Sequence, residues 1–306
     1  MILIKDRKMT CPHPDPLPVG EGDRAMRLRA LVERLAIPRH RIAEPAANAA
    51  TREWLMGAFE ALGLEVSVQG HFQNVVALPR GATRVTLIGA HYDSVPGCPG
   101  ADDNASAVAV MIEAAKALVG QPVGFVAFNA EEEGLLGSFD FVEHGLPRLG
   151  VQVDGIHVLE MLGFQNSGAP LARLPLPWTP ECVKHCDFIG VIGKSASNDD
   201  VERTLASTAA PELKVVGART WGPVHVVMGD ITRSDHFPFW QAGLRAVLWT
   251  DTANFRNPHY HRPSDLPDTL DYEFMARVTE LLIEVVKTGA SGCLEVGEPR
   301  SKKVDR

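Results

Sequence analysis

Five side chains with the chemistry of metal ligands come from five separate segments of the sequence. They are two histidines and three carboxylates, namely His91, Asp102, Glu132, Glu160 and His261. Imidazole and carboxylate groups are the usual ligands of catalytic zinc where no thiolate is offered. Two zinc ions that share one carboxylate would use all five, with one histidine and one further carboxylate on each ion. The residue types therefore predict a centre with two Zn²⁺ ions per chain.

The positions of these residues relative to predicted strands support a common site. His91, Glu132 and Glu160 each come at the end of an apolar stretch typical of a buried strand. His261 lies in the loop after another such strand, and Asp102 lies just before a predicted helix. In open α/β sheets the loops beyond the carboxyl ends of the strands form the crevice that binds ligands. We therefore expect the five side chains to meet at one edge of a sheet.

From Met26 onward, short apolar strands alternate with amphipathic helices. The predicted strands are 65–69, 73–79, 84–90, 123–129, 155–159, 187–192 and 245–250, and the predicted helices are 49–63, 104–118, 138–143, 198–208 and 271–288. This alternation is typical of a mostly parallel sheet with helices on both faces. We expect an α/β fold, a three-layer sandwich with a mixed central sheet, in a single catalytic domain over residues 26–290.

Three regions lack this regular pattern. Residues 10–24 contain proline and glycine at a density that breaks helices and strands, so residues 1–25 are expected to be a disordered leader, with translation beginning at Met26. Residues 163–233 are expected to be an irregular insertion that walls the cleft. Residues 291–306 are expected to be a flexible tail.

The composition restricts the classes of partner. A net charge of −8 and a pI near 5.8 provide no basic stripe for a nucleic acid. No apolar run approaches the roughly 20 residues of a membrane helix, and the N-terminus lacks the apolar core of a signal peptide. Five scattered cysteines are interpreted as free thiols in a reducing compartment: Cys11, Cys98, Cys182, Cys186 and Cys293. We predict a cytoplasmic protein with neither a nucleic-acid nor a membrane partner.

Six short segments resemble those of the co-catalytic zinc exopeptidases, which include bacterial leucyl aminopeptidases, glutamate carboxypeptidases and animal-type glutaminyl cyclases. The segments are AHYDS (90–94), GADDNAS (100–106), AEEEG (130–134), LEM (159–161), SDH (234–236) and PHYH (258–261). They follow the family's order between about residues 70 and 288. The resemblance implies the zinc-exopeptidase fold and a peptide or amino-acid derivative as substrate.

The resemblance also implies how the ligands are shared. His91 and Glu160 would hold one zinc ion, and Glu132 and His261 would hold the other. Asp102 would bridge the two ions.

Two further carboxylates have implied catalytic roles. Asp93 would orient His91 and fix its tautomer. Glu131 would be the general base that takes a proton from the attacking water and returns it to the leaving amine. Asp235 and His236 either line the site or have a structural role near the start of a short helix.

Several of these assignments have a close competitor. His259 lies two residues before His261, and the family pattern favours His261. Asp103 lies beside Asp102 and is interpreted as a turn residue. Glu160 stands where bacterial aminopeptidases carry aspartate, which leaves an oxygen ligand but changes its reach.

An aminopeptidase is the function that these features favour most. A glutaminyl cyclase-like acyltransferase is the alternative, although that group tends to replace the Asp-Asp-Asn segment at 102–104 by a Thr-Asp-Ser type. A carboxypeptidase would need an arginine for the substrate carboxylate, and Arg233, Arg256 and Arg262 are candidates. A non-catalytic protein on a peptidase fold would have lost a ligand or the base, and here none is missing.

Overall fold

The computed structural model describes residues 1–7, 21–170, 180–223 and 228–292, and within them a mixed sheet lies between helices. The strands are β1 (Ile2–Arg7), β2 (Glu65–Gln69), β3 (Asn74–Leu78), β4 (Arg84–His91), β5 (Val123–Phe128), β6 (Gln152–Glu160), β7 (Asn166–Pro170), β8 (His185–Cys186), β9 (Phe188–Lys194), β10 (Lys214–Thr220) and β11 (Ala246–Thr250). The α-helices are α1 (Glu21–Leu35), α2 (Pro45–Glu60), α3 (Ala107–Ala117), α4 (Leu136–Asp140), α5 (Asn198–Ala206), α6 (His236–Gln241) and α7 (Tyr272–Gly292).

The central sheet has nine strands in the order β1, β10, β9, β11, β6, β4, β5, β3 and β2. Its middle is parallel, because β4 pairs in parallel with β5 and β6, and β6 pairs in parallel with β11. Antiparallel pairs lie towards both edges, at β2 with β3 and at β1 with β10. The predicted α/β class with a mixed central sheet is confirmed.

Helices cover both faces of this sheet. On one face the helices α1, α2, α3 and α7 contribute to a single apolar core. All nine residues from 107 to 115 are buried, and the one charged side chain among them, Glu113, forms ion pairs with Arg27 and Lys116. On the other face, the rings of Phe141 and Phe239 pack against Phe128 of β5 with centroids 5.6 and 6.3 Å away. The three layers of the predicted sandwich are therefore present.

The structure differs from the sequence prediction at the N-terminus. Residues Ile2–Arg7, expected to be part of a disordered leader, form the edge strand β1 and pair with β10. The Arg7 guanidinium donates four hydrogen bonds of 2.5–3.1 Å to backbone carbonyls between Ser207 and Leu213. Helix α1 begins at Glu21 rather than at Met26, and residues 8–20 lie outside the described residues. The partner of this edge strand, β10, is more than 200 residues away in sequence, so local composition did not predict the strand.

The region 163–233 also differs from the expected irregular insertion. The strand predicted near 187–192 and the helix predicted near 198–208 correspond to β9 and α5. The unpredicted strand β10 pairs in parallel with β9, so both strands belong to the central sheet.

Ser138, predicted to begin a helix, lies inside α4 and donates to the carbonyl of Leu135. Of the predicted tail, residues 291 and 292 end α7 and 293–306 lie outside the described residues.

The cysteines and helices bear on the remaining predictions. Cys98, Cys182 and Cys186 have free thiols, as expected, whereas Cys11 and Cys293 lie outside the described residues. Across the described residues, none of the helices combines the length and apolar character that a bilayer span requires.

Candidate metal centre

The predicted side chains meet beyond the carboxyl ends of the parallel strands. His91 is the last residue of β4, and Glu160 is the last residue of β6. Glu131 and Glu132 lie in the turn that follows β5, and His261 lies in the loop after β11. This is the edge of an α/β sheet at which ligands bind.

Three of these loops contain a residue with left-handed backbone. Ala130 precedes Glu131 and has φ of 60°, Met161 follows Glu160 and has φ of 49°, and His261 itself has φ of 56°. Such conformations cost about 1–3 kcal/mol each in residues other than glycine and are concentrated at functional sites.

Six side chains form two groups that could each hold a metal ion. We call His91, Glu131 and Glu160 the deep group, and Asp103, Glu132 and His261 the rim group. Within each group the potential ligand atoms all lie within 4.8 Å of one another. His91 is completely buried, whereas the His261 side chain is 36% exposed.

The carboxylate of Asp103 connects the deep group to the rim group. Its Oδ1 lies 3.3 Å from His91 Nε2, and its Oδ2 lies 3.1 Å from His261 Nε2. Glu160 Oε2 is 3.6 Å from His91 Nε2, and Glu132 Oε2 is 3.2 Å from His261 Nε2. One carboxylate with an oxygen towards each histidine has the geometry of a ligand shared by two metal ions.

The carboxylate of Asp102, predicted to bridge the two metal ions, belongs to neither the deep group nor the rim group. The carboxylate accepts hydrogen bonds from the Gly163 N–H at 2.9 Å and from Asn257 Nδ2 at 2.6 Å. The prediction for Asp102 is therefore wrong, and Asp103, interpreted as a turn residue, occupies that position. The distant Asp265 fixes this register, because its two carboxylate oxygens accept from the backbone N–H groups of Asp102 at 2.9 Å and Asp103 at 3.1 Å.

Two residues outside the predicted set position Glu160. Asn104 Nδ2 donates to the Leu159 carbonyl at 3.0 Å, and Asn104 Oδ1 accepts from the Met161 N–H at 2.9 Å, so the end of β6 is held on both sides of the ligand. Ser234 Oγ donates to Glu160 Oε2 at 2.7 Å. Both residues belong to family-like segments, which was the signal that could have identified them.

Asp93 lies behind the centre, where it contacts several of its parts. Its Oδ1 is 3.4 Å from His91 Nδ1, as expected for a carboxylate that orients the imidazole. It also accepts hydrogen bonds from the backbone N–H groups of Glu131 at 3.3 Å and Glu132 at 3.2 Å. One buried carboxylate thus faces the histidine and holds the turn after β5 by two hydrogen bonds.

The choice between the two neighbouring histidines agrees with the prediction. The His261 imidazole belongs to the rim group, and the Tyr260 ring stacks on it with centroids 3.7 Å apart. The His259 imidazole instead contacts Ser264 Oγ at 3.0 Å and lies against the ring of Phe164.

Asp235 and His236 have different surroundings. Asp235 is completely buried, neither of its oxygens has a hydrogen-bond partner within the described residues, and burial raises its pKa to about 7. His236 Nε2 lies 2.8 Å from the Ile231 carbonyl, and its ring packs edge-on against Trp240. His236 is thus held within α6 and also lines a cavity beside the centre, whereas Asp235 adds a carboxyl group behind the deep group.

The charges and the unpaired buried atoms of the centre favour a bound cation. Burial by itself lowers the pKa of His91, but the carboxylates of Glu131 and Glu160 outweigh it and raise that pKa well above its usual value. Burial raises the pKa of Glu132 to about 7. Within the described residues, neither ring nitrogen of His91 nor Oε1 of Glu132 has a hydrogen-bond partner. Buried polar atoms rarely lack partners, and a metal ion among these atoms would supply one, so the residues fit zinc.

Comparison with known families agrees with this geometry. Residues 74–286 match peptidase family M28, which is more than half of the chain. The chain belongs to peptidase family M28. This membership confirms the predicted zinc exopeptidase family and the predicted hydrolysis of peptide bonds, and it supports zinc as the cofactor.

Two relatives are similar in sequence to this M28 chain over about two thirds or more of its length. It is 32% identical over 260 residues to the uncharacterized protein YfbL of Escherichia coli, covering 76% of this chain and 78% of YfbL. It is 30% identical over 211 residues to the aminopeptidase YwaD of Bacillus subtilis, covering 66% of this chain and 40% of YwaD. The chain thus spans less than half the length of that aminopeptidase.

Two solved structures share the M28 fold. The Legionella pneumophila LapA aminopeptidase superposes with a TM-score of 0.67 at 19% identity, covering 93% of this chain and 77% of LapA. The Bacteroides thetaiotaomicron glutaminyl cyclase superposes with a TM-score of 0.63 at 17% identity, covering 86% of this chain and 97% of the cyclase. At these identities the likeness concerns the fold, so the site must decide the activity.

The arginines considered for a carboxypeptidase occupy the surroundings of this M28 site. Arg233 donates to the Tyr260 hydroxyl at 2.9 Å and lies 3.2 Å from Asp230. Arg256 is buried, with its guanidinium 4.6 Å from the centroid of the Phe188 ring. Arg233 is thus engaged by this chain's own side chains, whereas Nε and Nη2 of Arg256 have no hydrogen-bond partner within the described residues. Arg262 is exposed.

Proposed function

We propose that this chain is an aminopeptidase that uses two zinc ions to remove the first residue of a peptide. His91 and Glu160 would hold one ion, Glu132 and His261 the other, and Asp103 both. The observation that carries this assignment is the Asp103 carboxylate, whose two oxygens lie 3.3 Å and 3.1 Å from the two histidine Nε2 atoms. When bound, the ions would lower the pKa of water and polarise the scissile carbonyl.

Glu131 is the side chain that would move the proton. Glu131 belongs to the deep group, but its Oε2 lies 4.0 Å from His91 Nε2, farther than the nearest oxygens of Asp103 and Glu160, so we assign it the proton rather than a metal ion. It would accept a proton at Oε2 from the attacking water and pass it to the nitrogen of the leaving peptide. Water and one C–N bond thereby give one carboxylate and one amine.

The charge of the site favours a substrate with a free α-ammonium group. Two Zn²⁺ ions carry four positive charges, whereas five carboxylates lie within 4.0 Å of an imidazole nitrogen of His91 or His261, those of Asp93, Asp103, Glu131, Glu132 and Glu160. The excess negative charge attracts an ammonium group and repels a terminal carboxylate. The similarity to YwaD, named an aminopeptidase, supports the same choice.

A panel of three substrate classes tests this proposal on the zinc-loaded protein. The classes are aminoacyl nitroanilides with a free amine, N-blocked peptides with a free carboxylate, and peptides that begin with glutamine. We expect hydrolysis of the aminoacyl nitroanilides and no cleavage of the N-blocked peptides. Nitroaniline release and mass spectrometry monitor the reactions. Cyclisation of glutaminyl peptides without hydrolysis, or cleavage of N-blocked peptides alone, would reject the aminopeptidase assignment.

The role of Glu131 has a matched control two residues further along the chain. Glu133 receives two hydrogen bonds from Arg41, at 2.8 Å and 2.7 Å, and belongs to neither ligand group. We expect Glu131→Gln to retain zinc and to lose kcat by about 10²-fold or more. Glu133→Gln should remain close to wild type. Unchanged turnover in Glu131→Gln would contradict the proposed base.

A further inference from the structure

An apolar cavity of about 170 Å³ lies beside the metal centre. Glu160, Ser234 and Tyr260 line it on the side of the metal centre. Aliphatic side chains of the strands β1, β9, β10 and β11 form one wall, which includes Ile2, Ile4, Ile192, Ala218 and Leu248. The other walls come from residues in 228–236 and 252–255, among them the ion pair of Asp230 with Arg233.

The floor of the cavity is a row of side chains on one face of the sheet. Leu248 pairs with Ile192, Ile192 with Ala218, and Ala218 with Ile4. Directly paired residues point to the same face of a sheet, so these four side chains cross β11, β9, β10 and β1 in order. Strands lie about 4.8 Å apart, so the row is roughly 14 Å long. It begins on the strand next to β6, whose last residue is Glu160.

This part of the sheet is incompletely covered. Ile4, Ile192 and Ala218 are only partly buried, although all are apolar and two of them lie on inner strands of the sheet. On the same face, Phe239 and Trp240 of α6 are buried against the sheet nearer to β6. Apolar surface that stays open in a cavity lacks the stabilisation of about 25 cal/mol per Å² that burial would give. Proteins commonly keep such open apolar surface in ligand pockets.

The shape and chemistry of the cavity fit one part of a peptide substrate. Its polar lining at Glu160 and Ser234 lies where the scissile bond would be held, and the apolar row leads away from it. A side chain of the residue being removed would enter the row, while its amine and carbonyl stay at the ligands. The row is longer than a leucine side chain, so it has room for a longer unbranched group.

We propose that this cavity, the side-chain channel, binds the side chain of the first substrate residue and selects long, unbranched apolar side chains. Ile4, on the N-terminal strand, closes its far end and sets the length limit. This inference rests on the proposed aminopeptidase function. It makes β1 a specificity-determining element, although β1 contributes no metal ligand.

A series of linear substrates measures the length of the channel. The nitroanilides of alanine, norvaline, norleucine, 2-aminooctanoic acid and 2-aminodecanoic acid share one reacting group and differ only in methylenes. For the wild type we expect kcat/KM to rise about fourfold per methylene, which corresponds to about 0.8 kcal/mol per buried CH₂. The rise should stop where the side chain reaches Ile4.

Two substitutions should move that limit in opposite directions. Ala218→Phe would fill the middle of the row, so the longest substrate should lose at least about tenfold in kcat/KM while the alanyl substrate stays within about twofold, because only long side chains reach this position. Ile4→Ala should improve the longest substrate by removing the end wall. Leu3→Ala is the matched control, because Leu3 is the next residue on β1, points to the opposite face and is 38% exposed.

The outcomes separate the two proposals. Identical length profiles in the wild type and in folded Ile4→Ala, with folding checked by thermal unfolding and zinc content, would overturn the side-chain channel and leave the aminopeptidase function standing. If the wild type hydrolyses none of the nitroanilides, the alanyl one included, the proposed function would instead be overturned. If Ala218→Phe does not fold, Ile4→Ala alone decides, since it only removes atoms from the wall.

Discussion

Two buried histidines of the central sheet, His91 at the end of β4 and His157 within β6, have opposite pKa shifts. His91 lies beyond the carboxyl ends of the strands among carboxylates that raise its pKa well above the usual value. His157 lies within β6, paired with Ile88 of β4 and Val247 of β11, and it borders a cavity of about 190 Å³ that Asp200 and Arg245 also line. Burial lowers the pKa of His157 to about 4, and its Nδ1 accepts a hydrogen bond from Trp249 Nε1 at 3.1 Å. Burial therefore sets the direction of the pKa shift at His157, whereas the neighbouring carboxylates set it at His91.

The difference lies in how the acids near each histidine are balanced. Near His157, the Asp200 carboxylate accepts hydrogen bonds from Arg203 at 2.5 Å and from Arg245 at 2.9 Å. Near His91, the described ion-pair partners of the carboxylates of Asp103 and Glu160 are histidines. The chain thus supplies its own cations near His157 and, in our proposal, receives zinc near His91.

The largest expected effect concerns the two adjacent aspartates at the proposed zinc site. Asp103→Asn should lower kcat/KM by about 10⁴-fold, equivalent to about 5.5 kcal/mol, because it weakens a ligand shared by both ions. Asp102→Asn should cost only about 10- to 100-fold, as expected for a residue behind the ligands. A larger loss in Asp102→Asn than in Asp103→Asn would restore Asp102 as the bridge.

The comparison of the two histidines can be tested directly. His91→Gln should lose zinc from the deep group and about 10³-fold in kcat, since one ion supplies several kcal/mol of transition-state stabilisation. His157→Gln should retain both zinc ions and nearly full activity. Metal analysis by mass spectrometry and initial rates check both variants. Equal zinc contents in the two would remove the contrast between the two histidines.

Zinc removal should destabilise one end of the sheet selectively. Ligand binding to the native state stabilises it by about 2.7 kcal/mol per ion at a free zinc concentration a hundredfold above Kd. Chelation should therefore lower the urea midpoint, and amide exchange should increase in the turns at Asp103 and Glu131 more than around Asp200. Uniform exchange along the sheet would argue against a local cation requirement.

The smallest expected effect is the pH dependence of stability at His157. Its folded pKa of about 4 lies below the usual value of 6.5, so the unfolded chain binds more protons between these values. Stability is therefore present above pH 6.5 and is lost as the pH falls, by about 2 kcal/mol at pH 5. Urea unfolding of zinc-free wild type and His157→Gln at pH 7.5 and 5 measures it. Between pH 7.5 and pH 5, we expect the free energy of unfolding to fall by about 2 kcal/mol less in the variant than in the wild type.

The sequence predicted the features that continuous local patterns determine. Strands β4, β5 and β6 are short apolar runs, so their carboxyl ends and the placement of His91 and Glu160 followed from the pattern. The choice between Asp102 and Asp103 depends on hydrogen bonds that their backbone N–H groups donate to Asp265, more than 160 residues away. Likewise, β1 exists because β10 offers a partner edge and Arg7 finds carbonyls near residue 210. Such long-range contacts have no local signature.

The position of β1 separates substrate choice from catalysis in the gene. Its side-chain row ends at Ile4, whereas the metal ligands extend from residue 91 to residue 261. Changes in the first few codons would reshape the far end of the channel and leave each ligand unchanged. Selection could then broaden or narrow the peptides that this enzyme accepts without passing through an inactive intermediate.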